Sequence, residues 1–293
     1  MVNKKATMLT LTSFLSFGLL TACFNATEVQ DTGGHGGGHG GKSASQEESG
    51  HSEHGSGHHG HESGSNGYKA AFTWEEPITA GFETELTIHI TDQNGDAVQQ
   101  FDTNHEKLLH LIVVNRDLSF FNHIHPDYRE NGVFTVNTTF PVGGKYKLIA
   151  DSVPKGTSGA TLSEWIQVKG DEGTASVLEP DSELIKQVDG KEITLSLSNT
   201  LSNEEVVLTY HIGDLKTKQG IDNLEPYLGA VGHVVILSED AEQYIHVHPL
   251  DERSRGPKAE FAAVFPHSGI YKIWGQFQHQ GEVMTVPFVV EIQ

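Results

Sequence analysis

The stretch "HLIVVNRDLSFFNHIHP", His110 to Pro126, reads as two short apolar strands around a polar turn, with a histidine at its start and two at its end. A second stretch of the same length, "HVVILSEDAEQYIHVHP", runs from His233 to Pro249. The two share His110/His233, Asp117/Asp240, His123/His246, His125/His248 and Pro126/Pro249, while most other positions change within their apolar or polar class. The match extends outward. "TIHI" at 87–90 corresponds to "TYHI" at 209–212, and "FPVGGKYK" at 140–147 to "FPHSGIYK" at 265–272, at offsets of 122 to 125 residues. The chain therefore carries a duplicated domain. Short alternating runs such as "ELTIHIT", separated by turn signals such as Asn94-Gly95 and Asn131-Gly132, predict strands throughout and no long helix. The expected fold is all-β: two tandem Ig-like β-sandwich domains, residues 68–169 and 184–293, joined by a linker at 170–183.

The histidine frame has a geometric consequence. Residues i and i+2 of a strand point to one face, so His123 and His125 share a face, as do His246 and His248. A turn centred on Asp117-Leu118 places His110 opposite His125; the matching turn places His233 opposite His248. Three imidazoles then meet on one face of each hairpin. Three nitrogens about 2.0–2.1 Å from an ion suit zinc, and imidazole also suits copper. The sequence thus predicts one His₃ copper or zinc site per repeat: His110, His123 and His125 in the first, His233, His246 and His248 in the second. Val234, Ile236, Ile245 and Val247 mark the opposite, core-facing side, so the metal face is expected to be outward or in a groove. His89 and His211 also recur, on the polar face of their strands, and are weaker ligand candidates. His105, His267 and His279 have no counterpart in the other copy and read as surface residues.

The N-terminal region has its own logic. Lys4 and Lys5 precede an apolar run, Met8 to Leu20, that closes on Leu20-Thr21-Ala22-Cys23. This resembles a bacterial lipoprotein signal over residues 1–22, with Cys23 as the lipidated residue. It implies a protein tethered by lipid to the extracytoplasmic face of the cell membrane, because no later segment is long and apolar enough to span. Residues 23–67 are rich in glycine, serine and histidine and have almost nothing to bury, so they are expected to be a disordered linker. His35, His39, His51, His54, His58, His59 and His61 lie in it and would collect metal ions loosely.

Composition narrows the chemistry. Cys23 is the single cysteine, so thiolate metal centres are excluded. Met284 is the only methionine beyond the signal, so a methionine-rich Cu(I) site is excluded too. The formal charge of −20 repels nucleic acid and attracts cations. There is no G-x-S-x-G, no H-E-x-x-H and no phosphate-binding glycine loop, and no enzymatic reaction is implied. Two other readings compete. H-x-H followed by Glu130 or Glu252 resembles half of a cupin motif, which would imply a β-barrel metalloenzyme. The glycine expected before it is Asp117 or Asp240, however, and "FPVGGKYK" lacks the later histidine. The third reading is a structural or protein-interaction Ig-like lipoprotein without metal.

Lipobox, histidine-rich spacer and two copies of the H-x-H-P frame followed by F-P-x-x-G-x-Y-K resemble YtkA-like envelope lipoproteins. That resemblance covers about residues 68–293. It implies Ig-like sandwiches and copper handling, in sequestration or delivery, with an envelope metal transporter as the corresponding partner. More distantly the setting resembles copper-binding sandwiches of the CopC kind. A lipidated Cys23 would leave no N-terminal histidine chelate.

Overall fold

The computed structural model describes residues 64–75 and 77–293. The expected signal, Cys23 and the seven histidines of the linker lie outside them. The described chain is all-β. The first repeat contains β1 (Lys69–Thr73), β2 (Glu83–Thr91), β3 (Phe101–Asp102), β4 (Leu109–Asn115), β5 (Phe121–Ile124), β6 (Asp127–Tyr128), β7 (Val133–Thr139), β8 (Gly144–Pro154) and β9 (Ala160–Val168). The second contains β10 (Ile185–Val188), β11 (Lys191–Leu197), β12 (Glu205–Asp214), β13 (His233–Ser238), β14 (Tyr244–His246), β15 (His248–Pro249), β16 (Lys258–Val264), β17 (Gly269–His279) and β18 (Glu282–Ile292).

Each repeat is a two-sheet antiparallel sandwich of Ig-like type. In the first, β1-β2-β7-β6 faces a sheet in which β8 pairs β3, β4 and β9, and β4 pairs β5. In the second, β10-β11-β12-β16-β15 faces β14-β13-β17-β18. Alternation decides what fills the space between. Leu86, Ile88 and Ile90 of β2 meet Leu111, Val113 and Leu148 in the first core. Leu208, Tyr210 and Ile212 meet Val234, Ile236 and Ile273 in the second. Residues on both inner faces are removed from water, the dominant favourable term for such a fold.

The hairpin register follows the sequence. Leu111 pairs Ile124 and Ile112 pairs His123, around a turn in which the Leu118 N–H donates to the Asn115 carbonyl. Val235 pairs His246 and Ile236 pairs Ile245, around a turn in which Ala241 N–H donates to Ser238. Pairing stops at Ile124, however, and the chain then crosses to the opposite sheet, where β6 pairs β7 and β15 pairs β16. His125 sits at that crossing, whereas His248 has already joined the opposite sheet as the first residue of β15, opposite Ala262.

The histidine face was expected to be outward or in a groove; the outward alternative is not found. The outer face of the β4–β8 sheet is covered by the outer face of the β13–β17 sheet. Ile112, Val114, Leu118 and Ile149 of the first repeat pack with Val235, Leu237, Ala241, Tyr244 and Trp274 of the second in a third apolar cluster. Polar contacts fringe it reciprocally. Lys147 Nζ donates to Glu242 Oε2 at 2.6 Å, and Lys272 Nζ donates to the Leu118 carbonyl at 2.8 Å. Phe121 stacks on Trp274 with ring centroids 4.6 Å apart. The segment between the repeats is tied to both: Ser176 N–H donates to Asp117 Oδ2, and Val289 N–H donates to Asp181 Oδ2.

Candidate metal centre

His110 is the second residue of β4, on the same face as Ile112 and Val114, so it lies in the covered inter-repeat layer. His123 is on β5 and its ring shares that face. His125 follows at the crossing. Their ring centroids are 5.1 Å (His110–His123), 5.1 Å (His110–His125) and 4.8 Å (His123–His125) apart. One donor nitrogen from each lies within 4.8 Å of the others; among the described residues this is the one such group of three or more potential ligands.

A hydrogen bond fixes the tautomer of one ring and another holds a second. The backbone carbonyl of Asn104 faces His110 Nε2 at 2.9 Å. A carbonyl can only accept, so Nε2 carries the proton and Nδ1 keeps a lone pair. The side-chain oxygen of Gln276, from the second repeat, faces His123 Nδ1 at 2.7 Å. Either end of that amide meets the needs of Nδ1, so the contact holds the ring without fixing its tautomer. His110 Nδ1, which keeps a lone pair, lies 2.9 Å from His123 Nε2, at hydrogen-bond distance. His125 Nε2 is buried without a hydrogen-bond partner.

None of the three rings carries a second proton at neutral pH. Burial, followed by the neighbouring His123, holds His110 down at about 4. Burial does the same to His123, at about 4, against the raising effect of Gln276. His125 is also held at about 4, by burial, then His110, then Lys107. All three imidazoles are thus neutral near pH 7, the form that ligates metals. Asp151, directly opposite His110 in the β4–β8 ladder, is 6 % exposed and accepts from Thr161 Oγ1 and from Tyr244 Oη of the second repeat. Its charge favours a cation beside His110 and His123. A cleft of about 250 Å³ lined in part by Phe121, Trp274, His123 and Gln276 opens beside the trio.

The second frame does not form a separate outward site. The His233 ring stacks on His110 at 5.5 Å and lies 4.8 Å from His123. The histidines of both repeats therefore gather in one region of the interface. His246 is placed by its backbone, opposite Val235, and His248 is exposed on β15. The weaker candidates are excluded from this region. His89 and His211 alternate with the core residues Ile88, Ile90, Tyr210 and Ile212, so they face outward from β2 and β12, on the sheets away from the interface. The trio also faces away from its own domain core, so the interior ligand set of a cupin barrel is not what these strands build.

Sequence reasoning missed His105. It was expected at the surface for lack of a counterpart, yet its ring lies 6.1 Å from His110, 5.2 Å from His233 and 6.4 Å from His248. His105 occupies a tight turn, Asn104–Lys107, closed by reciprocal backbone hydrogen bonds with φ of 46° and 63° at its two central residues. The second repeat has the same turn at Tyr227–Ala230, with Leu228 and Gly229 at φ 54° and 79°. The available signal was spacing: His105 precedes His110 by five residues, as Leu228 precedes His233. Gln276, the other omission, had no motif to mark it.

Comparison with solved structures finds distant likenesses. Invasin, a bacterial integrin-binding protein, is 13 % identical over 76 % of this chain and 39 % of its own, with a TM-score of 0.22. An alpha-2-macroglobulin from Salmonella is 15 % identical over 79 % of this chain and 15 % of its own, TM-score 0.25. A two-domain fibronectin type-III segment of chicken tenascin is 12 % identical over 76 % and 98 %, TM-score 0.21. The chain thus spans well under half the length of the first two, and at such scores none of the three bears on function. No curated protein sequence matches the chain. A family model does match, twice, at residues 63–170 and 186–293. The chain belongs to the family described as a domain of unknown function, DUF8832, and carries two copies of it.

Proposed function

We propose that this protein binds a copper or zinc ion between its two repeats, through His110, His123 and His125. The observation that carries the reading is the convergence of one ring nitrogen from each of His110, His123 and His125 to within 4.8 Å in a buried layer. Without an ion, His125 Nε2 is buried and unpaired, which costs about 1–3 kcal/mol. A cation removes that cost. At a metal–nitrogen distance of about 2.05 Å, the 2.9 Å separation of His110 Nδ1 and His123 Nε2 subtends roughly 90°, within the range of imidazole-bound ions. Asn104 and Gln276 then serve as outer partners that hold each ring in place. The donor set is all nitrogen, which suits copper and zinc over calcium or magnesium.

The protein acts in this reading by sequestering or delivering the ion at the extracytoplasmic face of the membrane, anchored through lipidated Cys23. The histidines between His35 and His61 raise the local ion concentration. The lipobox sequence and the resemblance to YtkA-like lipoproteins support the location; the protein performs no reaction, and an envelope metal transporter is its partner.

The test is titration with zinc and copper against a chromophoric chelator. It uses the full chain in detergent with His35, His39, His51, His54, His58, His59 and His61 changed to serine. One tight equivalent is expected, lost in His110→Ala and in His123→Ala. Tight binding that survives both substitutions would overturn the assignment.

A further inference from the structure

The turn holding His105 sets the two halves of the interface apart. Leu228 occupies the matching position in the second repeat, and both turns have the same left-handed backbone. The turns lie against each other: a side chain on Gly229 would meet Glu106 Cγ at 3.4 Å. His105 is thereby carried across the boundary, 5.2 Å from His233 and 6.4 Å from His248 between ring centroids. An imidazole centroid lies about 3.2 Å from an ion it binds, so two rings sharing an ion sit roughly 4.5 Å apart at a right angle and about 6.4 Å apart on opposite sides of it. The His105–His233 separation matches a roughly tetrahedral angle, and the His105–His248 separation puts those two rings on opposite sides of the ion.

We infer that His105 of the first repeat joins His233 and His248 of the second in a second, weaker ion position next to the trio. This rests on the metal reading of the trio and extends it: the interface takes two ions of the same class, copper or zinc, at unlike sites. The second position is the weaker because its donor atoms do not converge as the trio's do, so rings must rotate to bind. It is also the more open, since His248 is exposed while His110 and His123 are 2 % and 9 % exposed. The stacking of His233 on His110 at 5.5 Å makes the two positions neighbours, so an ion captured at the outer one is a short ligand exchange from the trio.

The decisive substitution is His105→Leu. It copies the residue that the second repeat carries at the same place in its own turn, so the backbone conformation is one leucine already adopts here. In the full chain with the seven linker histidines changed to serine, titration with Cu(II) or zinc should show two equivalents, one tight and one weak. His105→Leu and His248→Ala should each weaken the second equivalent by about tenfold or more while leaving the first nearly unchanged. His125→Ala should weaken the first and leave the second. With two equivalents of Cu(II), the electron paramagnetic resonance spectrum should broaden by dipolar coupling, and His105→Leu should restore the spectrum of an isolated ion. A wild-type chain that binds one equivalent only, or a second equivalent indifferent to both His105→Leu and His248→Ala, would overturn the second position while leaving the trio intact. No tight equivalent at all would instead refute the reading on which it rests.

Discussion

Gln276 offers the sharpest test of how the trio is built, because it belongs to the other repeat. Its side chain is 5 % exposed. Its Oε1 accepts from His123 Nδ1 at 2.7 Å, and its Nε2 donates to Thr285 Oγ1 at 3.1 Å. Gln276→Leu keeps the volume roughly constant and removes both bonds. The His123 N–H is then buried without an acceptor, which costs about 1–3 kcal/mol of stability. The ring also loses the partner that holds its orientation, and loss of such an outer partner lowers metal affinity about 10- to 100-fold. Gln276→Glu has the opposite sign for the ion. A carboxylate accepts the same proton more strongly and makes the ring a better donor, and Asp151 occupies the corresponding register position in the first repeat. Competition titration with zinc should therefore rank the affinities Glu above Gln above Leu, with urea unfolding of the metal-free proteins reporting the stability cost of the leucine. Equal affinities across the three would show that Gln276 does not orient a ligand.

Other outcomes follow from the same geometry. The metal-free protein should lose stability in acid. The folded-state values of His110 and His123, near 4 against about 6.5 when unfolded, mean the unfolded chain takes up protons first. Stability is full above about pH 6.5 and is lost as pH falls towards 4. Each of these two histidines accounts for about 3 kcal/mol at most, and half-exposed His125 for less. Urea midpoints from pH 7.5 to 4.5 in chelator should show this slope, and His110→Gln combined with His123→Gln should flatten it; an equal slope in that variant would assign the acid sensitivity elsewhere. Trp274→Ala empties the centre of the inter-repeat cluster, where the ring is 3 % exposed, and should cost about 3–5 kcal/mol. Thermal unfolding measures it, and a loss below about 1 kcal/mol would mean the repeats do not depend on this contact.

The duplication, the sandwich layers and the hairpin register were legible in the sequence because each rests on a short period. Alternation in "ELTIHIT" marks one core face, and a two-residue turn fixes which residues are opposed. The docking of the repeats was not read, although its trace is present. "LIVV" and "VVIL" do not alternate; every residue is apolar, the pattern of a strand buried on both faces. Reading only one face as core left the other to solvent and so placed the histidines outward. Contacts that cross between repeats have no local period at all. His105 is carried in one copy only, and Gln276 is a lone amide, so neither stands out until β4 and β17 are seen side by side. His89 and His211 show the converse: repetition preserved them, but their strand parity points them away from the interface.

X-ray absorption at the metal edge is the most direct test of the trio as a metal centre. The sample is the full chain with the linker histidines changed to serine, loaded with one equivalent of zinc or copper. Three imidazole scatterers at about 2.0–2.1 Å are expected, with the imidazole signature lost in His123→Ala. An all-oxygen shell, or a spectrum unaltered by His123→Ala, would contradict a metal site built from His110, His123 and His125.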